Sequence, residues 1–185
     1  MRVDARMTTQ VIREAAQVEF SARGLDAPLE AIALAAGVSK GTIYNRFGGR
    51  QGLVDAVVED LVRVKIEQIV AAARAVTDPG ERLAAFLRET WRLQFSDPVA
   101  NDVLTRDHST SAVIAALCAL CSTAGNEFLA QARQERAVNP AVSENDLWML
   151  IRANGAVVRA EGVADRDEHE RLCGLLLTGL FTDPR

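Results

Sequence analysis

No stretch of the sequence approaches the roughly 18 consecutive apolar residues that a membrane span needs, so no membrane partner is expected. The opening residues Met1-Arg2-Val3-Asp4-Ala5-Arg6 mix charges with no apolar run behind them. They do not read as a secretory signal, and the expected location is cytoplasmic. Cysteine is scarce and odd in number: Cys118, Cys121 and Cys173. A chain of 185 residues has volume for a proper core and needs no staples, so reduced thiols are expected rather than a disulfide framework. Strand-like alternation, internal repeats and low-complexity segments are also missing. Between Gly37 and Gly52 there is no acidic residue, although Lys40, Arg46 and Arg50 lie there.

What is present reads as helix throughout. Hydrophobic residues make up 49% and charged residues 25%, ordinary for a globular chain. The net charge of −4 argues against a nucleic-acid partner until its distribution is considered. Residues 1–50 carry seven basic and five acidic residues, a balance of +2, which leaves −6 for the remainder. A small basic head on an acidic body suits contact with DNA.

Capping and breaking residues predict nine helices, an all-α fold. The first starts at Thr8 or Thr9 and stops at Gly24. A second follows Asp26-Ala27-Pro28 and ends at Gly37; a short third spans 40–46 behind Ser39; Gly48-Gly49 breaks again. The fourth, about 50–75, would extend about 37 Å. It carries two apolar stripes, Leu53, Val57, Leu61, Val64 and Val54, Val58, Val62, Ile66, which imply contacts on more than one side. Beyond the turn Thr77-Asp78-Pro79-Gly80, helices are expected at about 80–96, 98–106, 110–136, 143–161 and 167–182.

Residues 28–47 have the anatomy of a helix-turn-helix. Alanines at 33, 35 and 36 let the second helix of the pair come close, and Ile43 and Phe47 anchor its inner face. Its N-terminus offers Ser39, Lys40, Gly41 and Thr42, small, polar or basic groups where backbone N–H groups and the helix dipole favour phosphate. Tyr44, Asn45 and Arg46 project outwards or sideways.

These residues carry a resemblance. Val11-Ile12-Arg13-Glu14-Ala15-Ala16, then Phe20 and Gly24, the unbroken run from Ile32 through Gly37-Val38-Ser39-Lys40-Gly41-Thr42-Ile43-Tyr44-Asn45-Arg46-Phe47, and then Arg50 and Leu53 resemble the N-terminal domain of the TetR family. The segment from Asp146-Leu147 to Leu175-Leu176-Leu177 resembles the family's SbtR-like branch. The resemblance implies a DNA-binding domain over 1–52 and a helical effector-binding and dimerisation domain over 53–185. It implies that Lys40, Thr42 and Tyr44 touch phosphates or bases, and that Asn45 and Arg46 contribute to sequence choice. Arg50 is expected to clamp a phosphate, and Thr8 and Thr9 to add contacts. One departure is Gly48-Gly49, with Gly52 nearby, where the family more often has a stiffer polar linker.

Two further sets are expected in the second domain. The last helix is apolar almost all round, and with the helix before it offers Leu147, Ile151, Val158, Leu172, Leu176 and Leu180 to a four-helix interface with a second copy. Such a twofold homodimer would read a pseudo-palindromic operator in double-stranded DNA, with half-sites about 34 Å or a multiple apart. Phe86, Trp91, Phe95, Phe128 and Trp148, with Cys121 and Asn154, are the candidate lining of a small-molecule effector pocket, plain core being the alternative. Arg152 and Arg159 share a face with Trp148, suited to an anionic ligand or to solvent. The expected mechanism is repression by occupancy, ended when an effector moves the fourth helix.

No cofactor or metal is expected, and no enzyme. Cys118 and Cys121 form a CxxC in mid-helix without a second pair, and His108 is the nearby third candidate for zinc. Three alternatives stay open: control by a protein partner, control by oxidation of these thiols, and a thiol oxidoreductase, which lacks a preceding strand and a base.

Overall fold

The structure, a computed structural model, describes residues 2–106, 110–160 and 165–181, with side chains from residue 6. His108 and residue 182 lie outside the described residues. Among those described, nine α-helices form: α1 Arg2–Arg23, α2 Leu29–Ala35, α3 Lys40–Phe47, α4 Arg50–Arg74, α5 Pro79–Ser96, α6 Pro98–Thr105, α7 Ala112–Gln134, α8 Glu144–Arg159 and α9 Arg166–Leu180. A single 3-10 turn, Gly24–Asp26, joins α1 to α2. The one β-bridge among these residues pairs Val138 with Phe181 and ties the approach to α8 to the end of α9.

Side-chain caps explain most helix starts. Asp78, Asp97, Ser111, Ser143 and Asp165 each accept from backbone N–H groups in the first turn that follows. Ser143 forms a full capping box with Asp146, whose carboxylate is held below its usual range by the Ser143 hydroxyl and N–H. α1 begins earlier than its threonines suggest. Nothing between Arg2 and Met7 breaks a helix, so Thr8 and Thr9 lie in its second turn rather than at its cap.

α4 is the spine. Its N-terminal half packs against α1 and α3, and its length carries it on to α5 and α7. Val54, Val58, Val62 and Ile66 are buried along one face. The companion stripe starts buried at Leu53 and Val57, is half-buried at Leu61 and surfaces at Val64. α4 is thus covered on two sides only where both halves of the chain reach it.

α7 corrects one reading. By length and composition it is apolar enough to cross a membrane, with mean hydropathy 1.6. It packs instead against α4, α5 and α8, turning Ile114, Leu117, Phe128 and Leu129 into the core. α8 crosses α5 and α6 closely: a Cβ on Gly155 would overlap Asn101 Oδ1 and the Thr105 side chain.

Candidate nucleic-acid interface

The turn between α2 and α3 is built as its glycine requires. Gly37 adopts φ +64°, and Val38 N–H returns to Ala33 O at 2.9 Å, which ends α2. Ser39 then caps α3, its Oγ accepting from Thr42 N–H at 3.2 Å and lying 3.0 Å from Thr42 Oγ1. Ile43 is fully buried and Phe47 half-buried, so α3 is anchored by one face. Truncating Ile43 to alanine would cost about 2–5 kcal/mol. The other face presents Lys40, Gly41, Tyr44, Asn45 and Arg46 to solvent. Beyond Ser39 Oγ at 3.6 Å, a Cβ on Gly41 would meet open space, so nothing in the chain itself requires glycine there.

Tyr44 is the most distinctive member of this face. It is 51% exposed, and its ring lies over Gly49, where a Cβ would come within 3.2 Å of the ring. Gly49, at φ +111°, therefore serves as the floor on which the phenol is positioned. Gly52 fixes α3 against α4, because a Cβ there would overlap the Phe47 carbonyl oxygen. The glycines at 48, 49 and 52 build a tight joint, not a loose linker.

Two basic residues behave differently from the sequence expectation. Lys40 Nζ pairs with Glu30 Oε1 of α2 at 2.6 Å, which raises the lysine pKa and lowers that of the glutamate. The acid-free window from Gly37 to Gly52 does not contain this partner, which folds in from outside it. Both side chains are well exposed, so the pair is a weak one that solvent screens. Arg50 points inwards. Its Nη1 donates to Ala27 O at 2.8 Å, its Nη2 to Leu25 O, and its guanidinium lies 6.0 Å from the centre of the Phe20 ring. It closes the connection between α1 and α2, its guanidinium held by backbone carbonyls rather than turned out as a phosphate clamp would be. Thr9 is half-buried in α1.

A buried carboxylate on α6 meets the same connection and was missed by the sequence reading. Asp102 accepts from Leu25 N–H at 2.7 Å and from Arg159 Nη2 of α8 at 2.7 Å. Its signal was legible: an acid between Val99-Ala100 and Val103-Leu104 on the inner face of a short helix.

The second-domain sets divide. Phe86, Trp91, Phe128 and Cys121 are closed in the core, Phe86 and Phe128 edge to face at 5.5 Å. Phe95 is half-buried and stacks on His169 of α9 at 4.7 Å, so it does not share an environment with Trp91. Trp148 is half-buried. Asn154 is tied on both sides, its Nδ2 donating to Gln94 Oε1 and its Oδ1 accepting from His169 Nε2, each at 2.9 Å. Trp91 Nε1 is buried without a hydrogen-bond partner among the described residues. Leu147 and Ile151 have no exposed area and Leu180 little, so a second copy cannot bury them. Val158, Leu172 and Leu176 are half-buried, while Met149, Val157 and Leu175 stand exposed.

The thiols are muted. Cys121 is pushed up to about 12 by burial, and Cys118, also raised by burial, donates to Val103 O at 3.2 Å. A thiol so rarely ionised is a poor nucleophile. Among the described residues no group of three or more His, Cys, Asp or Glu could hold a metal.

The architecture agrees with comparison to known proteins. Residues 12–57 match the model for bacterial regulatory proteins of the tetR family, and residues 78–182, more than half of the chain, match the C-terminal domain of SbtR-like transcriptional regulators. The chain belongs to the TetR family. That family is one of DNA-binding transcriptional regulators. It is 42% identical over 73 residues to the HTH-type transcriptional regulatory protein RaaS of Mycobacterium tuberculosis, covering 40% of this chain and 34% of that one. The other curated relative, a glycerol kinase of Rhodospirillum centenum, is 33% identical over 118 residues, 60% of this chain and 23% of the kinase, so the chain spans about a third or less of either. Among solved structures, a TetR regulatory protein from Mycobacterium vanbaalenii is 30% identical with 98% and 99% of the two chains covered and a TM-score of 0.50. AibR, solved in complex with isovaleryl coenzyme A and operator DNA, is 20% identical with 94% and 98% covered and a TM-score of 0.66.

Proposed function

We propose that the chain is a homodimeric repressor that a small-molecule effector releases from its operator. The carrying observation is the α3 face itself. A buried Ile43 fixes the helix, Ser39 caps it, and an exposed row of Lys40, Gly41, Tyr44, Asn45 and Arg46 faces outwards. In this reading the backbone N–H groups at Lys40 and Gly41 hold phosphate, and Tyr44 reaches the DNA backbone. Asn45 and Arg46 meet base edges.

A single short recognition helix reads too few base pairs for specificity, and a twofold partner supplies the second half-site. The outward residues of α8 and α9, Met149, Val157 and Leu175 with half-buried Val158, Leu172 and Leu176, support an interface there. Gly174 and Gly179 face open space, where a partner backbone can come close. The DNA-binding unit is residues 1–52 and the effector and dimerisation unit 53–185, with α4 passing from one to the other. A repressor of this kind works in the cytoplasm, and α7 is then a core helix.

AibR, whose structure holds an acyl coenzyme A together with operator DNA, supports a small-molecule effector by analogy of fold. The raised thiol pKa values give no support to control by oxidation.

The test is a binding titration against DNA flanking the coding sequence, at two salt concentrations and with competitor DNA. Salt-sensitive nanomolar binding that survives competitor is expected. Weak binding that competitor abolishes, for fragments selected across the whole genome as well, would refute the reading.

A further inference from the structure

Three arginines converge where α1, α6 and α8 end. Arg23, Arg106 and Arg159 line a cleft of about 350 Å³ together with Asp26, Asp102 and Phe95. That volume is at the small end of ligand sites. The lining holds three guanidiniums against two carboxylates, and the two acids occupy different positions in it. Asp102 is only 4% exposed and fully engaged, with Leu25 N–H, Arg159 Nη2 and, at 3.0 Å, Arg106 Nε around it. It orients Arg106 from behind.

The front of Arg106 is a fork. Nη1 donates to Asp26 Oδ1 at 2.7 Å and Nη2 donates to Asp26 Oδ2, the paired geometry in which a guanidinium holds a carboxylate. The Asp26 side chain is 71% exposed. Only the carboxylate side of the pair is open to solvent, so a competing anion can reach the fork from there. The fork is thus a carboxylate cradle, pre-set by a buried acid and filled by a carboxylate that the chain supplies from the turn Gly24–Asp26.

We propose that this cleft binds a small organic carboxylate, which displaces Asp26 from the Arg106 fork. Arg159, with a side chain 43% exposed, supplies the second cationic contact. Phe95 and Val158 supply an apolar wall for the body of the ligand. The proposal rests on the regulator reading for its consequence, because the displaced residue belongs to the DNA-binding half. Asp26 is part of the turn whose Leu25 carbonyl, with that of Ala27, holds Arg50 at the start of α4. Releasing it loosens the seat of the helix-turn-helix. The ligand binds the released state better, since Asp26 competes for the same fork, and that differential affinity shifts the population.

The test uses the full chain without DNA, titrated by calorimetry with sodium benzoate and sodium hexanoate at fixed ionic strength, with benzamide as the neutral control. Both acids are expected to bind and benzamide is not. Asp26→Asn removes the tethered competitor and is expected to tighten benzoate binding about tenfold, whereas a merely structural ion pair would leave it unchanged. Arg106→Gln, checked for native circular dichroism, is expected to abolish binding. Absence of binding by both acids to wild type and to Asp26→Asn overturns the proposal, as does unaltered affinity in both variants. Operator binding is measured separately. If wild type binds no DNA, the regulator reading fails while the benzoate titration still reports on the cleft.

Discussion

Replacing Arg50 by alanine separates a brace from a phosphate clamp. The guanidinium donates to Leu25 O and Ala27 O and lies against Phe20, so its removal leaves two carbonyls of the connection between α1 and α2 without their charged donor. A hydrogen bond to a charged group contributes about 1.5–3 kcal/mol. The site is part-buried and water replaces some of the loss, so the expected destabilisation is about 2–4 kcal/mol in all. For a chain of this size that lowers Tm by roughly 5–15 °C. Arg50→Lys retains the charge but not the two-pronged reach, and should recover only part of it. Thermal melts by circular dichroism measure the first quantity. The second is the salt slope of operator binding, which would fall by about 0.9 for each phosphate no longer neutralised, near two for a dimer. The brace predicts a large drop in Tm and an unchanged slope. A Tm within about 1 °C of wild type, with a slope reduced by about two, would refute the reasoning.

Other expectations can be checked alongside. Tyr44→Phe deletes a solvent-facing hydroxyl and should weaken operator binding roughly tenfold without moving Tm, as loss of one charged hydrogen bond implies; equal affinity at controlled salt counts against the contact. Leu175→Arg places a charge on a residue already 61% exposed, so the fold should persist while light scattering shows a monomer; a retained dimer mass would remove α9 from the interface. Burial is the main cause that lowers the His169 pKa below 6.5, with Arg92 adding to it and Glu170 opposing. The unfolded chain then binds the extra proton first, so stability from the neutral imidazole is full above pH 6.5 and lost as pH falls through the lower folded value. Urea titrations at pH 7.5 and 5.5 should show this loss in wild type and not in His169→Gln; parallel losses in both would sink it.

The helix-turn-helix was legible because its punctuation is local. Gly37, Ser39 and Gly48 each mark a boundary by backbone preference alone, and each stands where expected. Arg50 was not legible in the same way. Its partners are carbonyls of Leu25 and Ala27, more than twenty residues back, and no pattern of side chains reports where a carbonyl points. Part of the interface set, Leu147, Ile151 and Leu180, fell on the wrong phase. α8 is apolar on a wide arc, and periodicity cannot tell which part of that arc the molecule's own α5, α6 and α7 cover; they take Leu147 and Ile151 and leave Met149 and Val157 outside. The aromatics posed the same problem in another form. Phe86, Trp91 and Phe128 have the chemistry of a pocket wall and of a core alike, and only packing assigns them to the core.

The contact at Gly52 sets a mechanical ratio. With no Cβ to hold them apart, the end of α3 and the first turn of α4 bear directly on each other, backbone to backbone. α4 is 25 residues long, an arm of about 37 Å. A tilt of roughly 5° about its far end therefore carries α3 through about 3 Å, nearly the rise of one base pair. A bulkier residue at position 52 would pry the joint apart and put play into the gearing.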